Sequence, residues 1–231
     1  FCFCFDGCHV STSVKMWILC LLVILTAVTV VFAARLVYVL HRVYSNRHVL
    51  QSACKSANKA STMIIIGSGG HTSEMLRLSS VLKPSYSPRH YVMADSDIMS
   101  LKKVENHEGS QQKDYQVWKI PRSREVKQSW FSTTFTTLKA CLYSIPVVFR
   151  TMPDLILCNG PGTCIPLCLI GFFITIIGLK KIKIVYIESI CRVESMSLSG
   201  KILYYFADYI FVQWPQLTNK YPKTLYRGIL V

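Results

Sequence analysis

Acidic residues are scarce in this chain. Its 12 Asp and Glu face 26 Lys and Arg, and no acid falls between residues 35 and 73. A net charge of +14 invites a nucleic-acid partner. Against that, no basic helix with interleaved aromatics is present, and the cations are scattered through the chain, so no nucleic acid is expected. Beside an apolar run, basic charge more simply attracts anionic lipid, at about 1 kcal/mol per residue near the surface. Cys-x-x-Cys and paired-histidine spacings are missing, which argues against a zinc site, and no metal is expected. The chain has no Asn-x-Ser/Thr sequon, a weak pointer to a cytosolic main domain. The Gly-Lys-Ser/Thr of a Walker loop is absent, and Thr72 stands where the dinucleotide fingerprint needs its third glycine. No cofactor is expected.

What is present, first, is one long uncharged run over residues 17–34. As a helix its 18 residues rise about 27 Å, close to the hydrocarbon thickness of a thin bilayer. Arg35 interrupts and residues 36–40 resume, and an arginine near a helix end can snorkel. We expect a transmembrane anchor over residues 16–40, with a cleaved signal peptide as the competing reading. Residues 1–15 precede the first methionine, Met16, and are set apart as a non-native or disordered extension. Arg35, Arg42, Arg47, Lys55 and Lys59 follow the run, so residues 41–60 read as a basic juxtamembrane linker. The positive flank places the main domain on the cytosolic side. Cys158, Cys164, Cys168 and Cys191 lie in or beside apolar runs, as reduced, buried thiols would.

The second feature is STMIIIGSGGHTSEMLRLSSVL, residues 61–82. Residues 63–66 read as a strand buried on both faces, and Gly67, Ser68, Gly69 and Gly70 as a turn. Met75, Leu76, Leu78 and Leu82 are spaced as in a helix, with Thr72 or Ser73 as N-cap and Glu74 in the first turn. The glycines either make a tight turn only or cradle a phosphate against the helix N-terminus. His71 is either a hydrogen-bonding turn residue or a catalyst.

Beyond this unit, strands are expected at residues 90–94, 115–120, 154–158, 182–187 and 209–212. Helices are expected at 129–148, kinked or ended by Pro146, at 165–179 (buried or interfacial) and at 199–207, with a polar loop over 105–114. This alternation predicts an α/β domain over residues 61–225, one Rossmann-like doubly wound parallel sheet. Asp95 either caps the next helix or holds a ribose. A second glycine turn, Asn159-Gly160-Pro161-Gly162-Thr163, follows the fourth strand. Both turns then share the sheet edge where open α/β sheets bind ligands. Arg122 and Arg124 follow the third strand, and Glu188 and Arg192 the fifth. The arginines suit an anionic ligand and the glutamate a general base or sugar-hydroxyl acceptor, with a solvated loop or a local Glu–Arg pair as the alternatives. The apolar C-terminal end packs either on its own core or on a partner.

Six motifs together carry a resemblance: GSGGHTSEML (67–76), SPRHYVMAD (87–95), IPRSREVKQSW (120–130), DLILCNGPGT (154–163), VYIESICRVES (185–195) and FVQWPQL (211–217). Over residues 61–231 the chain closely resembles the membrane-anchoring subunit of the eukaryotic UDP-N-acetylglucosamine transferase, the heteromeric enzyme that makes dolichyl-diphosphate chitobiose. It also looks like the acceptor domain of the bacterial glycosyltransferase that completes the peptidoglycan lipid precursor. The resemblance implies the N-terminal, acceptor-side half of a split GT-B fold at the endoplasmic reticulum membrane, inactive without its partner. A cytosolic subunit supplies the UDP-sugar domain and docks on the tail, here Tyr226, Arg227, Gly228, Ile229, Leu230 and Val231. Joined to the motif reading, it puts the acceptor lipid's diphosphate on Gly67, Ser68, Gly69, Gly70 and Thr72 and on Asn159, Gly160 and Gly162. His71 is favoured over Glu188 as base because its ordinary pKa suits proton transfer. Two other readings stand beside this one. The chain is a purely structural scaffold, or it is an NAD-dependent membrane oxidoreductase, against which Thr72 counts.

Overall fold

A computed structural model describes residues 7–45, 59–109, 114–123 and 128–231. Arg124, residues 1–6 and residues 46–58 of the basic linker lie outside the described residues. In order, the elements are α1 (Gly7–Ser45), β1 (Thr62–Ile65), α2 (Gly70–Ser80), β2 (Arg89–Ala94), α3 (Ile98–Gly109), β3 (Tyr115–Ile120) and α4 (Trp130–Thr151). There follow β4 (Leu155–Asn159), α5 (Cys164–Ile177), β5 (Lys183–Ile187), α6 (Leu198–Leu203), β6 (Tyr209–Val212), α7 (Gln216–Lys220) and β7 (Leu225–Tyr226).

The seven strands form one parallel sheet in the order β3-β2-β1-β4-β5-β6-β7. Strand order reverses between β1 and β4, and that reversal opens the crevice in which doubly wound sheets bind ligands. The expected Rossmann-like architecture is therefore the observed one.

Alternate strand residues feed two cores, as a sheet covered on both faces requires. Ile65, Val92, Ile156 and Ile184 meet α4, α5 and α6 on one face. Ile64, Tyr91, Met93 and Leu157 meet α2 and α3 on the other. Towards β5 and β6 that second face is finished by Leu230 and Val231 of the tail.

α1 is long and apolar enough to cross a membrane, and its window of greatest hydropathy is unburied. It begins at Gly7, inside the stretch set apart as an extension, and its last turns reach into the stretch read as linker. Val39 and Val43 bury against Ile176 of α5. The Arg35 guanidinium donates from Nε to the Ile176 carbonyl at 3.1 Å, and Arg42 pairs with Asp208 at 3.5 Å. These contacts tie the apolar helix to the α5 side of the domain.

Several local expectations change. Residues 105–109, expected as loop, are the end of α3, while 110–113 lie outside the described residues. The helix is drawn out because Val104 is core and Glu108 is pinned: its Oε1 accepts from Arg89 at 2.9 Å and from the Tyr91 hydroxyl, all three groups being buried. Pro146 does not end α4, which runs on to Thr151. Asp97, not Asp95, caps α3, accepting from the Ser100 amide at 3.1 Å. Cys158, Cys164 and Cys168 are buried free thiols as expected, but Cys191 is exposed.

Candidate functional site

β1 and β4 are parallel neighbours, so their glycine turns leave the sheet side by side on one edge. Between them and the loops after β3 and β5 lies a cleft of about 420 Å³. Gly67, Ser68, His71, Gly160, Pro161, Gly162 and Thr163 line it, together with Arg122 and Arg192. The first turns of α2 and α5 begin here, with Gly69 and Thr163 as their N-cap residues. Asp97 also lines the cleft, but two helix N-termini and two guanidinium groups outweigh it and make the site electropositive.

The turn geometry explains its glycines. Gly69 sits at φ 66°, where a side chain is strained, and so serves as N-cap in place of the expected Thr72 or Ser73. Gly160 sits at φ 48°, and a Cβ there would lie 2.2 Å from Cε1 of His71. The imidazole thus lies directly over the Gly160 backbone.

Other expected site residues are engaged elsewhere. Thr72 is buried, donating its hydroxyl to the Gly67 carbonyl and meeting Ser100 Oγ at 2.7 Å, so it shapes the first turn from behind and does not line the cleft. Gly69 and Gly70 are exposed just outside the lining. Asn159 is buried, its Nδ2 donating to Glu74 Oε2 at 2.9 Å and to the His71 carbonyl at 3.3 Å. Glu188 is fully buried beneath the cleft and does not line it. Its carboxylate accepts from the amides of Ser189 and Ser197, at 3.2 and 2.9 Å, and from the Tyr186 hydroxyl at 3.2 Å. Burial pushes the Glu188 carboxyl up from the usual glutamate range, although the Ser197 and Ser189 amides pull it down. Its observed work is to hold the β5 loop to the start of α6.

Glu74 is the residue that sequence reasoning undervalued. It was expected only to put acid into the first helical turn, yet it ties three strand ends together. It accepts from Asn159 at the end of β4 and from Ser189 Oγ after β5 at 2.8 Å, and its Oε2 lies 3.5 Å from Nδ1 of His71. Its position one turn beyond His71, at i+3, was the available signal. Gln213 was also passed over: its Nε2 donates to the Glu188 carbonyl at 3.0 Å and its Oε1 accepts from the Leu230 amide at 3.1 Å. Among the described residues, His71 Nδ1, Asn159 Oδ1 and Thr163 Oγ1 are buried without a hydrogen-bond partner. Three unsatisfied polar atoms around one cleft are unusual in a finished core.

Residues 62–230 match the family model described as "Oligosaccharide biosynthesis protein Alg14 like". The chain belongs to the Alg14-like family. A relative from Rattus norvegicus, called UDP-N-acetylglucosamine transferase subunit ALG14, is 54% identical over 177 residues, covering 73% of this chain and 82% of that one. The Homo sapiens protein of the same name is 52% identical over 179 residues, covering 74% and 83%. The Schizosaccharomyces pombe protein is 45% identical over 189 residues, covering 80% and 90%. Among solved structures, Acinetobacter baumannii MurG superposes with a TM-score of 0.51 at 15% identity, over 68% of this chain but 42% of that one. The Alg14-like domain therefore has the fold of one part of a GT-B-like protein and spans less than half of MurG. The tail reading is sharpened by the geometry: β7 extends the sheet beside β6, and Leu230 and Val231 turn into the chain's own core. Tyr226 and Ile229 remain exposed.

Proposed function

We propose that this chain is the membrane-held acceptor side of a heteromeric UDP-N-acetylglucosamine transferase. It recruits a cytosolic donor-binding subunit to the endoplasmic reticulum membrane, the main domain facing the cytosol. Together they add the second N-acetylglucosamine to dolichyl-diphosphate-N-acetylglucosamine. The observation that carries this reading is the convergence of both glycine turns, two helix N-termini and Arg122 and Arg192 on one cleft. The names of the relatives support it. So does a domain that matches 42% of MurG.

In this reading the lipid's diphosphate accepts hydrogen bonds from amides of the turns at residues 67–70 and 160–163 and pairs with the guanidinium groups. Gly67, Ser68, Gly160 and Gly162 form the cradle, with Gly69 and Gly70 as its outer lip. Thr72 and Asn159 support it from beneath. His71, in the cleft and braced by Glu74, takes the proton of the acceptor hydroxyl as that oxygen bonds to the anomeric carbon and the bond to UDP breaks. Glu188 keeps the β5 loop in place and is the weaker candidate for base, because it is sealed from the cleft. Most of the rate gain comes from holding a surface-confined lipid in orientation.

The test is co-expression with candidate cytosolic partners, measuring sugar transfer to a polyprenyl-diphosphate acceptor. His71→Ala and Arg192→Ala should each abolish most transfer while the partner still co-purifies. Near-normal transfer in both variants would leave the chain as a scaffold only.

A further inference from the structure

The two helical layers of the domain differ in chemistry. Apart from Ile98 and Met99 at the start of α3, the outward residues of α2 and α3 include Ser73, Arg77, Lys102, Lys103 and Glu105, an ordinary solvated surface. The layer of α4, α5 and α6 does the reverse. On α4, Phe131, Phe135, Leu138, Leu142, Ile145 and Phe149 are all exposed, at alternating steps of four and three, while Ala140, Ser144, Val147 and Val148 point inward. Leu169, Phe173 and Ile177 are likewise exposed on α5, as are Leu198 and Ile202 on α6 and Tyr205 just after it. None of the three helices contains an acidic residue, and Lys139, Arg150 and Lys201 are exposed along them. An apolar face of this extent, with Lys139, Arg150 and Lys201 exposed along its helices, is not the surface of a freely soluble domain.

Its position relative to α1 names the occupant. The Phe32 and Phe173 rings lie 6.4 Å apart, and Phe32 belongs to the uncharged run. Arg35, which ends that run, is bonded to the last carbonyls of α5. Phe32 lies three residues before Arg35, about 4.5 Å deeper along the helix axis. Phe173 therefore sits at the depth of the last residues of the apolar run, and α4 packs alongside α5. In-plane amphipathic helices bury about 5–10 Å into the boundary between headgroups and acyl chains.

We infer that the outer faces of α4, α5 and α6 lie in the bilayer surface, so that the domain is held by a second, in-plane contact as well as by α1. The occupant is anionic lipid bilayer. Lys139, Arg150 and Lys201 meet headgroup phosphates, and the aromatic and aliphatic side chains enter the acyl boundary. The face reaches the cleft directly, since Leu198 belongs both to the α6 stripe and to the cleft lining. The loop carrying Arg122 leads into α4. A ligand with a charged head in the cleft could thus keep its apolar tail in the membrane.

The experiment places the full chain in phosphatidylcholine–phosphatidylserine vesicles containing a phosphatidylcholine with a photoreactive diazirine in its acyl chain. Adducts are then mapped by mass spectrometry. Labelling of α4 and of the α5 region around Phe173 should exceed labelling of α2 and α3 by roughly tenfold, alongside the label on α1. Exchanging both outward residues, Phe135→Ser and Leu142→Ser, should cut the α4 label several-fold and leave the α1 label and the unfolding midpoint unchanged. Adducts confined to α1 would overturn the inference. So would loss of the α4 label when a cytosolic partner subunit is added, which would assign the face to protein. Neither readout needs sugar transfer, so this inference and the transferase reading can fail separately.

Discussion

Gly160 shows how close the site is at the scale of single residues. At φ 48°, with the His71 ring in the volume a Cβ would take, it tolerates no side chain without moving the imidazole. Gly160→Ala should lower transfer by the assembled complex on the order of a hundredfold, as small misplacements of reacting groups do. Partner co-purification should be unchanged. Glu188 makes a different prediction. Burial raises its carboxyl in the folded state, so its contribution to stability is complete below the unfolded value and declines as pH rises through the folded one. The stability advantage of wild type over Glu188→Gln should therefore be largest in acid and shrink towards neutrality, read from urea unfolding across that range.

At the scale of elements, α3 and the tail are the informative cases. The last turn of α3 exists because Glu108 answers a buried Arg89, a partner 19 residues earlier that no local pattern announces. Removing one partner of a buried pair leaves an uncompensated charge. Glu108→Ala should cost about 3–5 kcal/mol in denaturant unfolding. The tail splits by residue: Leu230 and Val231 pack on the domain's own core, whereas Tyr226 and Ile229 are exposed. Leu230→Ala should lower stability by about 1–3 kcal/mol. The pair Tyr226→Ala and Ile229→Ala should instead weaken capture of the cytosolic subunit and leave the unfolding midpoint alone. The strands and glycine turns were legible because they are continuous local signals: unbroken β-branched runs, then glycine. The N-cap of α2 was misplaced because Thr72 spends its hydroxyl on the Gly67 carbonyl and on Ser100, contacts made only in the folded chain.

For the whole molecule, the junction between α1 and the domain fixes the apolar helix against the end of α5. Arg35 donates to the carbonyl of Ile176 and, at 3.4 Å, to that of Thr175, which also accepts from the Gly178 amide. Arg35→Ala should loosen this joint by about 1–3 kcal/mol, the cost of a lost buried partner. The expected signature is faster hydrogen exchange in the last turns of α1 and α5, with the sheet unaffected. If exchange there is unchanged, the apolar contacts of Phe32, Leu36, Val39 and Val43 and the Arg42–Asp208 pair hold the two bodies without it.

The sequence by itself determined the apolar run, the alternation that makes a parallel sheet, and the two turns that had to share its ligand-binding edge. Periodicity and glycine placement are properties of neighbours along the chain, and they need no folded context to be read. Only the tertiary structure decided that Glu74 ties Asn159 to Ser189, and that Glu188 is sealed beneath the cleft. It alone also brought Phe173 of α5 beside Phe32 of the apolar helix. Those facts depend on which strand ends and helix faces are brought together from distant parts of the chain.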